Sequence, residues 1–221
     1  MVSSAGVASA SSSPISRAQA LAYARTVNLQ PGDLPGFTVS ASEEEAPPPG
    51  PLVIRYDRCL GGERSQIAHV SSREFSAGRA LESKIVWSNV TLWPTAATSA
   101  RETERLHSSG GLLCLRQYLH AVRTEVNRAR KGHAAFGPFV VTTAHEQRHG
   151  FSVLLTRIDE TRLLRTGAVL AHVYRDKYEF VSGAAAIELE ATGFGHSVSE
   201  ATEQQALQVL LARARRVPAP A

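Results

Sequence analysis

The sequence has no hydrophobic run long enough for a membrane-spanning helix, which needs about 18 to 20 apolar residues. Its most apolar stretches, 137–144 and 152–155, have the length of β-strands. The chain is therefore predicted to lie outside the bilayer, peripheral to a membrane at most. A length of 221 residues with 43% hydrophobic content is typical of one globular domain with a single core.

The chain also lacks a basic stripe with interleaved aromatic residues, although its net charge is +4 and its pI about 9.4. The two densest basic groups, 128–131 and 213–216, each fall at the end of a predicted helix. Cations at that position interact favourably with the exposed carbonyl groups of the last turn. No nucleic-acid partner is expected.

Cysteine is scarce: only Cys59 and Cys114 occur, and their spacing fits no CxxC metal or redox motif. Two interpretations stay open from these residues alone. As a disulfide, the pair would close a loop of about 56 residues and stabilise the fold by about 4 kcal/mol in an oxidising compartment. As buried free thiols, the same residues would indicate a cytosolic protein.

Common catalytic signatures are absent as well. The sequence contains no G-x-S-x-G nucleophile elbow, no P-loop and no strand followed by G-x-G-x-x-G. Its only aspartates are Asp33, Asp57, Asp159 and Asp176, so few carboxylate pairs are available for acid–base chemistry. We predict no catalytic residue and no cofactor from these patterns.

One motif does point to an enzyme. His145-Glu146-x-x-His149 has the spacing with which zinc peptidases hold their metal, the glutamate serving as base. On a helix, the 3.6-residue period brings the two imidazoles onto one face. Here the flanking residues, 139–143 and 151–155, are β-branched or alternate in hydrophobicity. They predict a hairpin with the motif at its bend.

A catalytic zinc ion would also require a third protein ligand. The metzincin extension fails, because Ser152 and Leu155 stand where its glycine and third histidine would be. Glu160 and Glu179 remain as candidate ligands, but both lie in a β-rich stretch. A zinc-dependent hydrolase is therefore the alternative function, and the principal prediction includes no metal site.

The N-terminal segment, residues 1–16, consists largely of serine, alanine, glycine and valine. It is too polar for the hydrophobic region of a signal peptide and is predicted to be a flexible spacer. Such segments often follow a secretory cleavage site, so we expect a signal peptide upstream of Met1. A disordered cytosolic tail is the alternative. Residues 17–216 form the predicted single domain, and 217–221 form a C-terminal tail.

Hydrophobic periodicity predicts an α+β fold, an antiparallel β-sheet with helices packed on it. Capping-box signatures at Ser16 and Ser197 begin a first and a last helix. Between them, leucine and valine recur at steps of three and four over 112–126, which indicates a long amphipathic helix. The pair Gly110-Gly111 is expected to separate it from a shorter helix over 99–107.

Strands are predicted on both sides of these central helices. Alternating segments occur at 37–40, within 67–93, and at 139–145, 151–158, 168–175 and 178–189, the last divided at Gly183. Their short, turn-rich connections favour antiparallel hairpins over parallel crossovers.

Six short motifs occur in order along the chain. They are DLPGF (33–37), CLGG (59–62), SREF (72–75), VWSNVTLWPT (86–95), LLCL (112–115) and YRDKYEFVSG (174–183). Together they resemble a group of uncharacterised bacterial secreted proteins and lipoproteins related to PknH-type extracellular sensor domains and LpqN-type lipoproteins. The resemblance covers about residues 17–216.

This resemblance implies a PsbP-like α/β sandwich, an extracytoplasmic location and a disulfide between Cys59 and Cys114. It further implies binding or sensing without catalysis, and it offers no established active site to transfer. The chain departs from lipidated members in lacking a lipobox cysteine.

The functional prediction is a non-catalytic, extracytoplasmic binding or sensor-like domain, located outside the cell or in the cell envelope. Its partner would be an unknown small molecule, a lipid or a cell-envelope protein. A cytosolic interaction domain with reduced cysteines is a further alternative. No pattern in the sequence identifies ligand-binding residues or an oligomeric state.

Overall fold

The computed structural model describes residues 15–40, 50–61, 66–129, 135–164, 166–217 and 219. They form one domain in which eight strands make a single antiparallel sheet and five α-helices pack on it. The predicted α+β class is confirmed. Residues 1–14 of the predicted spacer, and 218, 220 and 221 of the predicted tail, lie outside the described residues, so these boundaries stay a prediction.

The helices are α1 (Arg17–Val27), α2 (Pro51–Leu60), α3 (Ala96–His107), α4 (Ser109–Ala129) and α5 (Glu200–Arg216), with a 3₁₀ turn at Ala80–Glu82. The strands are β1 (Thr38–Val39), β2 (Ala68–Ser71), β3 (Phe75–Ala77), β4 (Lys84–Leu92), β5 (Ala135–Arg148), β6 (Phe151–Leu163), β7 (Val169–Ser182) and β8 (Ala185–Phe194). Within the described ranges, none of the helices combines the length and apolar character needed to span a bilayer.

Strands β5, β6, β7 and β8 form a meander, in which each strand pairs with the next one along the chain because the turns between them are short. The strand order is β1-β3-β4-β8-β7-β6-β5, and β2 pairs with β4 beside β3. Between β5 and β6 the chain reverses at His149-Gly150, where φ is 50° and 83°. Positive φ at both central residues is what a type I′ turn requires, and that turn matches the twist of the strands it joins.

The main core lies on the face of the sheet that packs against α1 and α5. Alternation along β4 buries Val86, Val90 and Leu92 on this face. Leu207 and Leu210 of α5 are buried against the same layer. Each fully buried aliphatic side chain of this kind stabilises the fold by roughly 1.5 to 3 kcal/mol.

The opposite face of the sheet is covered by α3 and α4, and α2 packs on α4. A smaller apolar cluster of Leu119, Val141 and Ile158 joins α4 to β5 and β6. The domain therefore has three layers: a pair of helices, the sheet, and a second helical layer.

Helix α2 is absent from the sequence-based prediction. Proline at the first helical position is well tolerated because its missing amide hydrogen would have no partner within the helix. Gly61, at φ 64°, ends the helix in the left-handed conformation. None of the residues of α2 is fully buried, because this helix packs on the outside of α4.

The predicted break between residues 175 and 178 is wrong. Strand β7 runs without interruption from Val169 to Ser182, and the chain turns at Gly183-Ala184. The polar run Arg175-Asp176-Lys177 resembles a turn in the sequence, yet it lies in the middle of the strand and its members point alternately to the two faces.

Two predicted helix boundaries also shift. Helix α5 is capped by Ser199, which accepts a hydrogen bond from the backbone of Thr202, and not by Ser197. The break between α3 and α4 falls at Ser108. Gly111 lies inside α4, where a Cβ would come within 2.2 Å of the Arg105 carbonyl oxygen. Glycine at this position therefore allows α3 and α4 to approach each other closely.

Candidate functional site

A disulfide joins Cys59 of α2 to Cys114 of α4, with 5.8 Å between their Cα atoms. That separation is usual for a disulfide. The bond connects α2 to the helical layer through α4, which is also the element that α2 contacts most. It lies on the sheet face opposite to α5.

The structure divides the His-Glu-x-x-His motif along a strand and a turn. His145 and Glu146 belong to β5, and His149 is the first residue of the turn. Four residues of extended chain span about 13 Å, whereas two ligands of one zinc ion lie within about 4 Å of each other. The expectation that the motif forms the whole bend was wrong, because only His149 of the motif is in the turn.

The two histidines and the glutamate of this motif each contact a different partner. The ring of His145 lies 5.7 Å from that of His107 in α3, edge to face. Glu146 forms an ion pair with Arg148. The carbonyl oxygen of His149 accepts a hydrogen bond from Arg215 of α5.

The other candidate ligands are also in ion pairs. Glu160 interacts with Arg162 and Arg175, and Glu179 interacts with Lys177. Across the described part of the chain, no group of three or more His, Cys, Asp or Glu side chains is arranged to hold a metal ion.

The candidate functional site is a cavity of about 550 Å³ on the α5 side of the sheet. We call it the carboxyl cavity. Its floor is formed by β5, β6 and β7, and its wall by the first turn of α5 and the segment before it. The residues that carry its chemistry are Arg157, Asp159, Tyr174, Asp176, Glu200 and Glu203.

Strand register places the floor residues in neighbouring rows. Arg157 of β6 is paired with Asp176 of β7, and Asp159 with Tyr174. Because all four follow the period of two along their strands, their side chains point to the same face. These residues reach the cavity because α5 covers only part of the sheet.

A close crossing of the chain positions the wall of the carboxyl cavity. At Gly193 of β8, a Cβ would lie 2.1 Å from the carbonyl oxygen of His196. Only glycine allows segment 195–199 to pass so closely over β8. This segment places Ser197 and Val198 at the cavity and begins α5 at the Ser199 cap.

The centre of the site is a pair of carboxyl groups, of which Glu203 is buried and Asp176 is half-buried. Glu203 of α5 is only 3% exposed, and its carboxyl group lies beside that of Asp176, close enough for the two to share a proton. The hydroxyl of Tyr178 donates to Glu203 Oε2 at 2.7 Å. On the cavity side, Arg157 Nε lies 3.1 Å from Asp176 Oδ2.

Burial is the main reason why both carboxyl groups hold protons more strongly than usual. It raises the pKa of Glu203 to about 7, and the charge of Asp176 adds to the increase. Burial also raises the pKa of Asp176, although the guanidinium of Arg157 partly offsets this. Two carboxyl groups can share a hydrogen bond only when one of them is protonated. Glu203 therefore holds its proton below about pH 7 and releases it above.

The carboxyl cavity is electrostatically negative. Asp159, Asp176 and Glu200 contribute carboxylates, whereas Arg157 is the cation that lines it. The Arg157 guanidinium is already paired with Asp176. A positively charged group that enters the cavity therefore finds carboxylate oxygens and little repulsion.

Sequence reasoning missed nearly all of this site. Asp176 was counted among the four aspartates but placed in a turn. Glu203 is a polar residue within the amphipathic pattern of a helix, and such residues are normally exposed. The one available signal is that Glu203 falls among the buried positions of α5, one turn before Leu207.

The sequence matches no protein-family model and no curated protein. Among solved structures, the fold is similar to the extracellular domain of PknH from Mycobacterium tuberculosis. The two share 11% sequence identity over 93% of this chain and 99% of that chain, with a TM-score of 0.46. At this level of similarity no residue role is transferred between them. The resemblance to LpqN-type lipoproteins stays a prediction.

Proposed function

We propose that this chain is a non-catalytic, extracytoplasmic binding domain whose carboxyl cavity takes a small organic cation. The observation that carries this proposal is the pair of Asp176 and the buried Glu203 in a cavity that contains more carboxylates than cations. A cation bound there would replace the shared proton. Binding and proton release would then be coupled, since both compensate the same negative charge.

The size and composition of the cavity suit a small molecule. Its volume of about 550 Å³ lies within the range of small-molecule sites, about 300 to 1,000 Å³. Val140 and Val198 add apolar surface beside the carboxylates, and Tyr174 adds an aromatic ring. An amine with a short hydrocarbon chain matches this mixture, because its charged end and its methylene groups each find a suitable surface.

The arrangement favours binding over acid–base catalysis. The carboxyl groups of glycoside hydrolases lie about 5 to 9.5 Å apart, whereas those of Asp176 and Glu203 lie directly beside each other and leave no room for a glycosidic bond between them. Glu203 is also almost fully buried and held by Tyr178. A substrate atom would therefore not reach its oxygens directly, although its charge acts on whatever occupies the cavity.

The extracytoplasmic location rests on the disulfide. Bonds of this kind persist in oxidising compartments and are rare in the cytosol. Protein isolated from its native host without reductant, and alkylated during lysis, is expected to contain no free thiol by mass spectrometry. Two alkylated cysteines would contradict the location. Contact with a membrane surface, a lipid or an envelope protein remains part of the proposal.

Isothermal titration calorimetry with putrescine tests the cation site, and succinate is the anionic control of the same chain length. Putrescine is expected to bind and succinate is not. Putrescine affinity should rise about tenfold between about pH 6 and pH 8, because one proton with a pKa near 7 is released. If neither putrescine nor choline binds more tightly than succinate, the cation assignment is wrong.

The variant Glu203→Gln examines the coupling. Glutamine keeps the shape but does not ionise, so putrescine should bind with an affinity that no longer depends on pH in this range. Glu104→Gln is the matched control, since Glu104 is exposed on α3. It should retain the wild-type pH dependence. A tenfold pH effect that survives in Glu203→Gln would assign the proton to another group.

A further inference from the structure

The outermost strand of the sheet, β5, has one open edge. No strand among the described residues pairs with β5 on the side away from β6. The chain turns at His149-Gly150, so Arg148 and Phe151 form a hydrogen-bonded pair next to the turn. The direction of the backbone groups then alternates along the strand. The odd-numbered residues from 139 to 147 therefore point their N–H and C=O groups to the open edge.

The start of β5 is protected against a further strand. The side chain of Asn127 in α4 accepts a hydrogen bond from the Phe136 amide at 2.7 Å and donates to the Phe136 carbonyl oxygen at 2.9 Å. Pro138 and the bulge between residues 136 and 139 follow, and both features discourage pairing. Beyond them, 139–145 contains no proline, lysine, arginine, aspartate or glutamate. Residues 142–145 are all exposed, so this part of the edge lacks such protection.

The open edge borders the carboxyl cavity. Val140 and Thr142 of β5 line this cavity, and Val140, which is 61% exposed, is paired with Asp159 of β6. The side chain of Asp159 is 50% exposed. His172 Nδ1 lies 3.5 Å from Asp159 Oδ1, which is longer than an ordinary hydrogen bond of about 2.7 to 3.2 Å. Asp159 is therefore an accessible carboxylate one strand away from the edge.

We propose that β5 pairs with an extended peptide segment of another protein, and that a lysine of this segment places its ammonium group at Asp159 in the carboxyl cavity. This inference rests on the proposed cation site, for which it names a lysine side chain as the cation. Backbone hydrogen bonds to the open edge supply affinity, and the cavity selects the side chain.

The spacing of strands allows this contact. A strand added to β5 lies two strand spacings, about 9.6 Å, from β6. Its residue opposite Val140 forms a non-hydrogen-bonded pair, in which the two side chains lie close together on the same face of the sheet. A lysine at that position crosses the exposed valine with its four-carbon stem and brings the ammonium group to Asp159.

The charges around this contact favour a cation. Arg157, one row further along β6, is already paired with Asp176 at 3.1 Å, so it does not compete for Asp159. Glu200 adds another carboxylate to the cavity. An acidic residue opposite Val140 would instead face Asp159 with a like charge, which is unfavourable.

A second copy of this chain is a poorer occupant of the edge. Strand β5 contains no lysine, and its one arginine, Arg148, is already paired with Glu146. Two-fold antiparallel pairing that uses every outward-pointing group of 139–147 would place Glu146 of one copy opposite Val140 of the other, beside Asp159. Like charges on neighbouring strands are destabilising.

The probe is the blocked heptapeptide acetyl-TVTVTKT-amide, whose lysine lies opposite Val140 when the peptide pairs antiparallel with 139–145. Nitrogen-15 NMR titration should show saturable shifts at Val141 and Thr143, whose amides face the open edge. Replacing the lysine by glutamine should weaken binding about fivefold, and replacement by glutamate should weaken it further. Equal affinity of the lysine and glutamine peptides, or no saturable shift in β5, would overturn the inference.

Variants of the protein locate the contact. Thr143→Pro removes one outward-pointing amide hydrogen without breaking a bond to β6, and proline is tolerated at such edge positions. It should weaken peptide binding at least about tenfold and leave putrescine binding unchanged. Thr143→Val keeps the amide and is the matched control. If Thr143→Pro unfolds the protein, Asp159→Asn decides, since it should abolish the preference for lysine over glutamine. A preference that persists in Asp159→Asn rejects the contact.

Putrescine separates this inference from the proposed function. If putrescine binds and the lysine peptide does not, the docking edge is rejected and the cation site stands. If neither binds, both are rejected. A dimer of the free protein that Thr143→Pro dissociates would assign the edge to a second copy and contradict the peptide.

Discussion

The phenolic hydroxyl of Tyr178 and the carboxyl of Glu203 form a 2.7 Å hydrogen bond between β7 and α5. Both residues are buried, with 1% and 3% of their surface exposed. The bond links the sheet to the helix at the carboxyl cavity. It also lowers the pKa of Glu203, acting against the larger effect of burial.

Tyr178→Phe removes this donor with little change in volume. We expect the pKa of Glu203 to rise above about 7, because the ionised carboxylate loses a hydrogen bond, and we expect the protein to lose about 1 to 3 kcal/mol of stability. Carbon-13 NMR of the glutamate carboxyl groups measures the pKa of Glu203, and urea unfolding measures the loss of stability. Tyr174→Phe is the control, since Tyr174 lines the cavity and its ring stacks on His172. A pKa of Glu203 that is equal in both variants would contradict the role of Tyr178.

Stability should depend on pH through Glu203. Its folded pKa of about 7 lies above the unfolded value of 4.5, so the folded state binds more protons between these values. Stability therefore falls as the pH rises from about 4.5 to about 7. Glu203→Gln should lose this decrease, a difference of about 3 kcal/mol between the two ends of the range.

Other groups contribute to the same pH range. Burial and the nearby Glu188 raise the pKa of Glu190 to about 7, which adds to the decrease. The lowered pKa of His107 acts in the opposite direction, removing stability as the pH falls from 6.5 towards about 4. Comparing wild type with Glu203→Gln at each pH cancels both contributions. Parallel urea-unfolding curves across the range would exclude the raised pKa of Glu203.

Removing the disulfide with Cys59→Ala and Cys114→Ala together should lower the free energy of unfolding by about 4 kcal/mol, because the unfolded chain gains entropy. Hydrogen exchange should increase most in α2, since none of its residues is buried and α4 is its main contact. Urea unfolding and exchange mass spectrometry provide the measurements. A loss below about 1 kcal/mol, with α2 still protected, would show that packing alone holds this helix.

The β5–β6 turn should tolerate only certain residues at position 149. His149→Val places a β-branched side chain at φ 50° and should cost about 1 to 2 kcal/mol, whereas asparagine suits that conformation. His145→Val is the matched control, because valine fits a strand such as β5, and we expect a change below about 0.5 kcal/mol.

A metal analysis tests the alternative of a zinc hydrolase at the same two histidines. Elemental analysis of the wild-type protein should find no stoichiometric zinc that depends on His145 and His149, because an extended strand separates them. One zinc per chain, lost when both histidines are changed to alanine, would restore that alternative.

Local patterns in the sequence determined much of the fold. Ser16 caps α1 as its capping box predicts, and the period of two within 67–93 corresponds to the alternating burial along β4. These features depend on residues close together in the chain, so periodicity and capping report them directly. Helix α2 is amphipathic, but it is only ten residues long and begins directly after a proline-rich segment, and it was missed.

The sites were not predictable in this way. Arg175-Asp176-Lys177 interrupts the hydrophobic pattern of β7 because its side chains belong to polar clusters on both faces of the sheet. Without knowing which strands and helices lie opposite, a polar run of this kind is read as a turn.

What the sequence alone determined is the class of the fold, an antiparallel sheet with helices, and the scarcity of catalytic signatures. Only the tertiary structure decided that Glu203 meets Asp176 and that His107, not His149, is the partner of His145. The physical reason is the separation of the residues along the chain. Periodicity reports on residues a few positions apart, whereas these contacts depend on how α5 and α3 pack on strands that are distant in the sequence.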